Sequence, residues 1–177
     1  MRIDKRFKVT KVVSSDTTRQ SMTNPWLENG RVVATEGHMI AIVPIEASAD
    51  DVDGVIPSAA LTAARGIDIN CSSASAVTVG ERTFIRPGLA TPPWKQVVPS
   101  FDGVETVSIT LSPSLLAKLA EAIGVGSSEG VTITFKPSAP CDAMLVNPSP
   151  PNGAYGVLMP MRSEANHPAR KAKAAGR

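Results

Sequence analysis

The chain has 177 residues, of which 42% are hydrophobic and only 4% aromatic, and its formal net charge is +2. That length bounds one compact domain or two small half-domains fused over one core, which must be mostly aliphatic. No apolar run approaches the ~18 residues of a membrane span, and the opening MRIDKRFKV lacks the apolar stretch of a secretory signal.

The charge is uneven. Arg2, Lys5, Arg6, Lys8 and Lys11 face only Asp4 at the start, and Arg170, Lys171, Lys173 and Arg177 face only Glu164 at the end. The body between is close to neutral, so basicity sits at the ends and does not coat the protein. Cys71 and Cys141 point to free, buried thiols in a reducing cytoplasm.

In chain order, residues 7–14 alternate and predict a strand. Residues 15–30 are polar, with Pro25 and Gly30, and read as a loop whose Trp26 packs back onto the body. Residues 31–35 and 39–45 are β-branched and apolar around Glu36-Gly37-His38, which predicts strand, tight turn, strand, with Gly37 free to take positive φ. Residues 46–54 form an acidic loop. In VIPSAALTAARG, Pro57 suits a first helical turn and Gly66 a stop. IDINC, SAVTVG and RTFIRP then predict three short strands, with Gly80-Glu81 as a hairpin-like turn. Residues 87–104 are proline-rich and form an irregular connector.

A similar order recurs. TVSITL at 106–111 predicts a strand, and Ser112 and Pro113 then open a helix. Leu115, Leu116, Leu119 and Ile123 give that helix one apolar face, and Gly124 ends it. GVTITF, DAMLV and AYGVLMPM predict three further strands. The pattern is one strand-helix-strands unit used twice, at roughly 1–100 and 104–162. The expected fold is α+β, with two helices packed on a curved antiparallel sheet. Residues 163–177 read as a disordered basic tail.

Catalysis finds little support. No histidine or cysteine spacing suits zinc, and no nucleophile-elbow or phosphate-loop pattern occurs. Asp50, Asp51 and Asp53 lack the spacing of a calcium loop and read as solvated. The chain is therefore expected to be neither an enzyme nor a cofactor or metal binder.

Three segments resemble one family, the DNA sliding clamp that forms the beta subunit of bacterial DNA polymerase III. Residues 33–41 (VATEGHMIA) resemble the family's ATDGHRLA, 92–99 (PPWKQVVP) its FPDYRRVLP connector, and 155–162 (YGVLMPMR) its closing YVVMPMRL strand. Segment order and the elements between them agree, over roughly residues 30–162.

The resemblance implies a DNA-clamp-like fold and a pocket for short linear motifs of replication or repair proteins. Carried over by position, the pocket residues are Thr35, Gly37, His38 and Ile40 from the turn and Pro93, Val97 and Val98 from the connector. Val157, Met159, Pro160, Met161 and Arg162 come from the last strand. Methionine suits such a groove because it is flexible and polarizable, while His38 and Arg162 could fix a ligand's orientation.

The same resemblance implies encirclement of double-stranded DNA, which so short a chain could achieve only as a homo-oligomer. Arg65, Lys118, Arg170, Lys171 and Lys173 are the candidate DNA contacts, a sparse lining for phosphate neutralisation. Met39 replaces the family's usual arginine, and the chain runs on past its MPMR.

Simpler readings stand beside these. His38 fits an ordinary turn histidine, Met159 and Met161 fit a core, and the tail fits a solvated end. Trp94 fits either a pocket cap or an anchor for the connector. A single-lobe regulator or decoy that captures clamp-binding peptides, and an unrelated ligand-binding protein on a clamp-like scaffold, are the alternative functions.

Overall fold

β-Branched residues crowd segments 31–35 and 40–44, and these pleat into β2 (Arg31–Thr35) and β3 (Ile40–Pro44). They join β1 (Trp26–Glu28) and β4 (Gly54–Val55) in an antiparallel sheet ordered β3-β2-β1-β4. The computed structural model describes residues 1–64, 67–104, 106–140 and 142–161. It divides into unit 1, Met1–Pro99, and unit 2, from Ser100 onward.

In unit 1, Leu27, Val32, Ala34 and Val43 share one sheet face and enter the main core. That core also takes Ala60 and Ala64 of α1 (Ser58–Ala64). Ile69, Val77 and Val79 join it from a second sheet, ordered β5-β6-β7: β5 (Ile69–Asn70), β6 (Ala76–Val79) and β7 (Arg82–Ile85). Trp26, Val33 and Val55 lie on the other face of the first sheet and are buried as well.

Unit 2 repeats the order of helix and then three-stranded meander. Ser112 caps α2 (Pro113–Ala122) by accepting from the Leu115 amide at 3.4 Å, with proline in the first turn. The strands β8 (Gly130–Thr134), β9 (Met144–Ser149) and β10 (Gly156–Leu158) pair in the order β10-β9-β8. Ile123, Val146 and Leu158 are the buried centre, with Leu116 and Leu119 packed against it. Gly156 permits the close fit of β10 on α2: a Cβ there would sit 2.7 Å from Leu119 Cδ1.

The expected α+β class, with two helices and antiparallel sheets, is the observed one. Several local expectations are corrected. Residues 7–14 form no strand; a 3-10 turn at Val9–Lys11 instead points Val9 into the core. The loop at 15–30 contains a 3-10 turn, Gln20–Met22, and β1. Strand β1 reverses into β2 through Asn29-Gly30, both at positive φ, as a two-residue hairpin turn demands.

Among the described residues of 106–111 no strand forms; the Met161 amide donates to the Thr110 carbonyl at 2.8 Å. Leu115 is exposed rather than core. The Asp50–Asp53 loop is only partly solvated. Asp51 pairs with the buried Met1 amine at 3.1 Å, and the Asp53 carboxylate accepts the Asn29 amide. Cys71 is free and buried, as expected, and burial pushes its thiol pKa up. Cys141 and the tail at 163–177 lie outside the described residues.

Candidate functional site

The turn between β2 and β3 is built by one hydroxyl. Thr35, nearly buried, donates from Oγ1 to the Met39 carbonyl at 2.7 Å and accepts the Gly37 amide at 3.1 Å. Because Thr35 is also paired with Ile40 in the ladder, the loop is fixed at both ends. Gly37 sits at φ 102, where a side chain is strained. His38 and Met39 are left exposed at the tip, and Ile40 is half-buried.

Two side chains that sequence reasoning passed over flank this tip. Arg19 reaches the Glu36 carbonyl from Nη1 at 3.4 Å, and that nitrogen lies 2.9 Å from where a Gly37 Cβ would be. Met22 Sδ lies 3.8 Å from the same point. Both come from the polar stretch at 15–24, whose composition gives no hint of the contact.

The connector runs through a 3-10 turn at Trp94–Gln96. Pro93 and Val97 are exposed, and Val98 is 41% exposed. Trp94 settles its own ambiguity as an anchor: its indole N–H donates to Glu28 Oε2, while Lys95 Nζ donates to Glu28 Oε1. Lys95 also lies over the Trp94 ring, 5.5 Å from its centroid. The Lys95 bond, and then the Trp94 bond, hold the Glu28 carboxyl below its usual pKa.

Glu28 pairs with Arg31, at the opposite end of β2 from Thr35. Four residue steps separate the two ends, about 13 Å at ~3.3 Å per residue. In unit 1 the turn and the connector's anchor thus stand at opposite ends of one hairpin.

In unit 2 the candidate strand ends earlier than expected. β10 stops at Leu158, and Met159-Pro160-Met161 continues as irregular chain. Val157 is exposed opposite the exposed Leu145 of β9. Met159 and Met161 are 61% and 49% exposed, which overturns the core reading of both; Pro160 is half-buried. Arg162, Arg65, Arg170, Lys171 and Lys173 lie outside the described residues, and Lys118 is exposed on α2. Among the described residues no group of three or more His, Cys, Asp or Glu could hold a metal ion, and no helix is long and apolar enough to cross a membrane.

Each unit therefore presents its own share of the expected surface: a histidine-methionine turn and a latched connector in unit 1, and a valine-methionine segment in unit 2. What the two shares have in common is exposed aliphatic or thioether side chains. Such side chains can re-pack around a ligand.

No protein-family model matches the chain, and no curated protein does. Among solved structures, the chain is similar to the beta sliding clamp of C. crescentus, crystallised with polyethylene glycol bound to a region proposed to tether the beta-motif. The TM-score is 0.55 and the identity 18%, over 92% of this chain and 65% of that one. At that identity the likeness establishes a sliding-clamp-like fold, spanning less than two-thirds of the clamp's length.

Proposed function

We propose that this protein is a sliding-clamp-like accessory factor of DNA replication that binds short linear motifs of replication or repair proteins. The observation that supports this is exposure of the apolar side chains a peptide would need. Val97, Val98, Val157, Met159 and Met161 all face solvent on a clamp-like fold. Thr35, Gly37, His38, Ile40, Pro93, Pro160 and Arg162 complete the proposed site. The test is a fluorescence titration with a labelled glutamine-leucine-phenylalanine peptide. The expected result is micromolar binding, weakened about fivefold or more by Met159→Ala or His38→Ala, the scale of an interface anchor. Absence of binding by the unaltered protein removes the reading.

Assembly separates the ring from the single-lobe regulator. A closed homo-oligomer by light scattering supports encirclement of DNA, and a monodisperse monomer at micromolar concentration supports a peptide-capturing lobe.

DNA contact is a second reading, favoured by the N-terminal segment more than by the helices. α1 carries no basic residue within its bounds, and Lys118 of α2 stands three positions before Glu121. Lys5, Lys8 and Lys11, by contrast, are exposed and make no ion pair among the described residues. Their backbone is pinned because Ile3 before them and Val9 between Lys8 and Lys11 are buried in the core, with Phe7 packed against it. Three fixed lysines would each neutralise a phosphate. Replacing all three by Gln should lower the slope of log affinity against log salt by about 2.7 for duplex DNA. An unchanged slope would exclude the segment.

A further inference from the structure

We infer that Glu28 is a positioning residue: its carboxylate latches the connector to the first sheet and so sets the stance of Pro93, Val97 and Val98. The purpose assigned to the latch rests on the peptide-binding reading above; the latch itself does not.

The geometry is specific. Glu28 closes β1, a strand fixed on both sides by β2 and β4. Its side chain leaves the sheet on the face of Trp26, two residues earlier, which is wholly buried. Each carboxylate oxygen then takes a different donor from consecutive residues: the Trp94 indole on Oε2 and the Lys95 ammonium on Oε1. Charge-assisted bonds of this kind are the strong ones, and sharing one anion between two neighbours fixes both position and rotation of the segment. Lys95 over the indole ring ties the two donors to each other.

Little else holds this stretch. Among the described residues, the other hydrogen bonds of 92–97 are local: Trp94 N to the Pro92 carbonyl, Gln96 N to the Pro93 carbonyl and Val97 N to the Trp94 carbonyl. These shape the turn but attach it to nothing. The prolines at 92, 93 and 99 limit how the chain can bend without supplying amide donors. One carboxylate therefore decides where the turn docks, and the exposed valines follow it by one and two residues beyond Gln96.

The experiment uses Glu28→Gln in the full chain, with Lys95→Met as the second variant, since Lys95 is exposed and its loss removes one donor without touching the sheet. Three quantities are read: chymotryptic cleavage after Trp94, tryptophan emission, and peptide affinity. With the latch weakened, cleavage should accelerate about fivefold, the scale of a lost charge-assisted bond to a half-exposed lysine, and emission should shift to the red as Trp94 gains solvent while Trp26 stays buried. The double variant should do no more than Glu28→Gln alone, since both break one contact. Unchanged cleavage and emission in both single variants overturns the latch, whatever the peptide does. Faster cleavage with unaltered peptide affinity, in a protein that binds peptide, overturns its role in the site. If the unaltered protein binds no peptide, the binding reading fails while cleavage still decides the latch.

Discussion

The two units spend their apolar residues differently. Unit 1 gathers Leu27, Val32, Ala34, Ile56, Ile69 and Val77 into one core fed by two sheets and a helix. Unit 2 centres on Ile123, Val146 and Leu158, and leaves Phe101, Val104, Val107, Leu145, Tyr155, Val157 and Met159 facing solvent. Area removed from water stabilises a fold, at roughly 25 cal/mol per Å², whereas area left in water is available to a partner. Unit 1 is thus built as scaffold, and unit 2 carries more of the surface that binding could cover. In the proposed binding, unit 1 would contribute small features on its sheet frame, the Thr35-braced turn and the Glu28 latch.

The sharpest way to break this contrast is to cut one methyl-rich side chain from each centre. Ile56 is fully buried and Ile123 nearly so. Isoleucine-to-alanine changes cost ~2–5 kcal/mol, more where the surroundings cannot collapse into the void. Ile56→Ala should fall near the top of that range, about 4 kcal/mol. Ile123→Ala, with fewer buried neighbours to hold a cavity open, should cost about 2 kcal/mol. Urea denaturation of both variants measures the difference, and a larger loss for Ile123→Ala would refute the scaffold argument.

A second change adds volume instead of removing it. A methyl at Gly156 would lie within 3.0 Å of three carbons of Leu119, and those atoms pack inward beneath α2. Overpacking of that kind costs ~1–3 kcal/mol. Gly156→Ala should therefore destabilise the protein by about 2 kcal/mol and slow no peptide association of its own, because residue 156 is buried. A thermal melt checks it: an unchanged melting temperature would show that α2 shifts freely on its sheet and that unit 2 has no packed centre worth the name.

How much of this was legible beforehand follows from what each residue advertises. The helix at 113–122 was readable because Ser112, Pro113 and the leucine spacing agree, and α1 because Pro57 and the alanines agree. The turn at 36–39 was readable because Gly37 sits between two β-branched runs. β1 was missed although Asn29-Gly30 is the strongest short hairpin signal, because only three strand residues precede it and the polar stretch before them dominated.

The strand expected at 106–111 failed for the opposite reason. TVSITL has the composition of a strand, but among the described residues of this segment no strand is formed. Composition supplies the side chains of a strand, not its partner. At the candidate site, exposure of Met159 and Met161 could not be read, since alternation places two residues on one face without saying which face is covered. Glu28 carried no signal at all: a lone acid at a strand end becomes an anchor only when residues 66 and 67 positions away arrive beside it.

The smallest expected effect tests that anchor by acid. Glu28 has its carboxyl held below the usual value of 4.5, first by Lys95 and then by Trp94. A depressed folded-state pKa means that the unfolded chain binds the proton more readily, so the linkage stabilises the latch above pH ~4.5 and is lost as pH falls through the depressed value. The other charged groups near Glu28 in the sheet are Arg31, opposite it on β2, and Asp53, whose carboxylate takes the Asn29 amide.

Neither of those groups hydrogen-bonds the Glu28 carboxylate, so the transition should belong to Glu28 and its two donors. Because Lys95 is 61% exposed and solvent screens its charge, the contribution is at the low end for a charged pair, about 1 kcal/mol. Tryptophan emission followed from pH 6 to pH 3 should redden below about pH 4.5 as Trp94 is released. Glu28→Gln, which has no proton to gain, should start red and stay flat. A variant that keeps the acid transition would assign it to some other carboxylate and leave the connector held by packing alone.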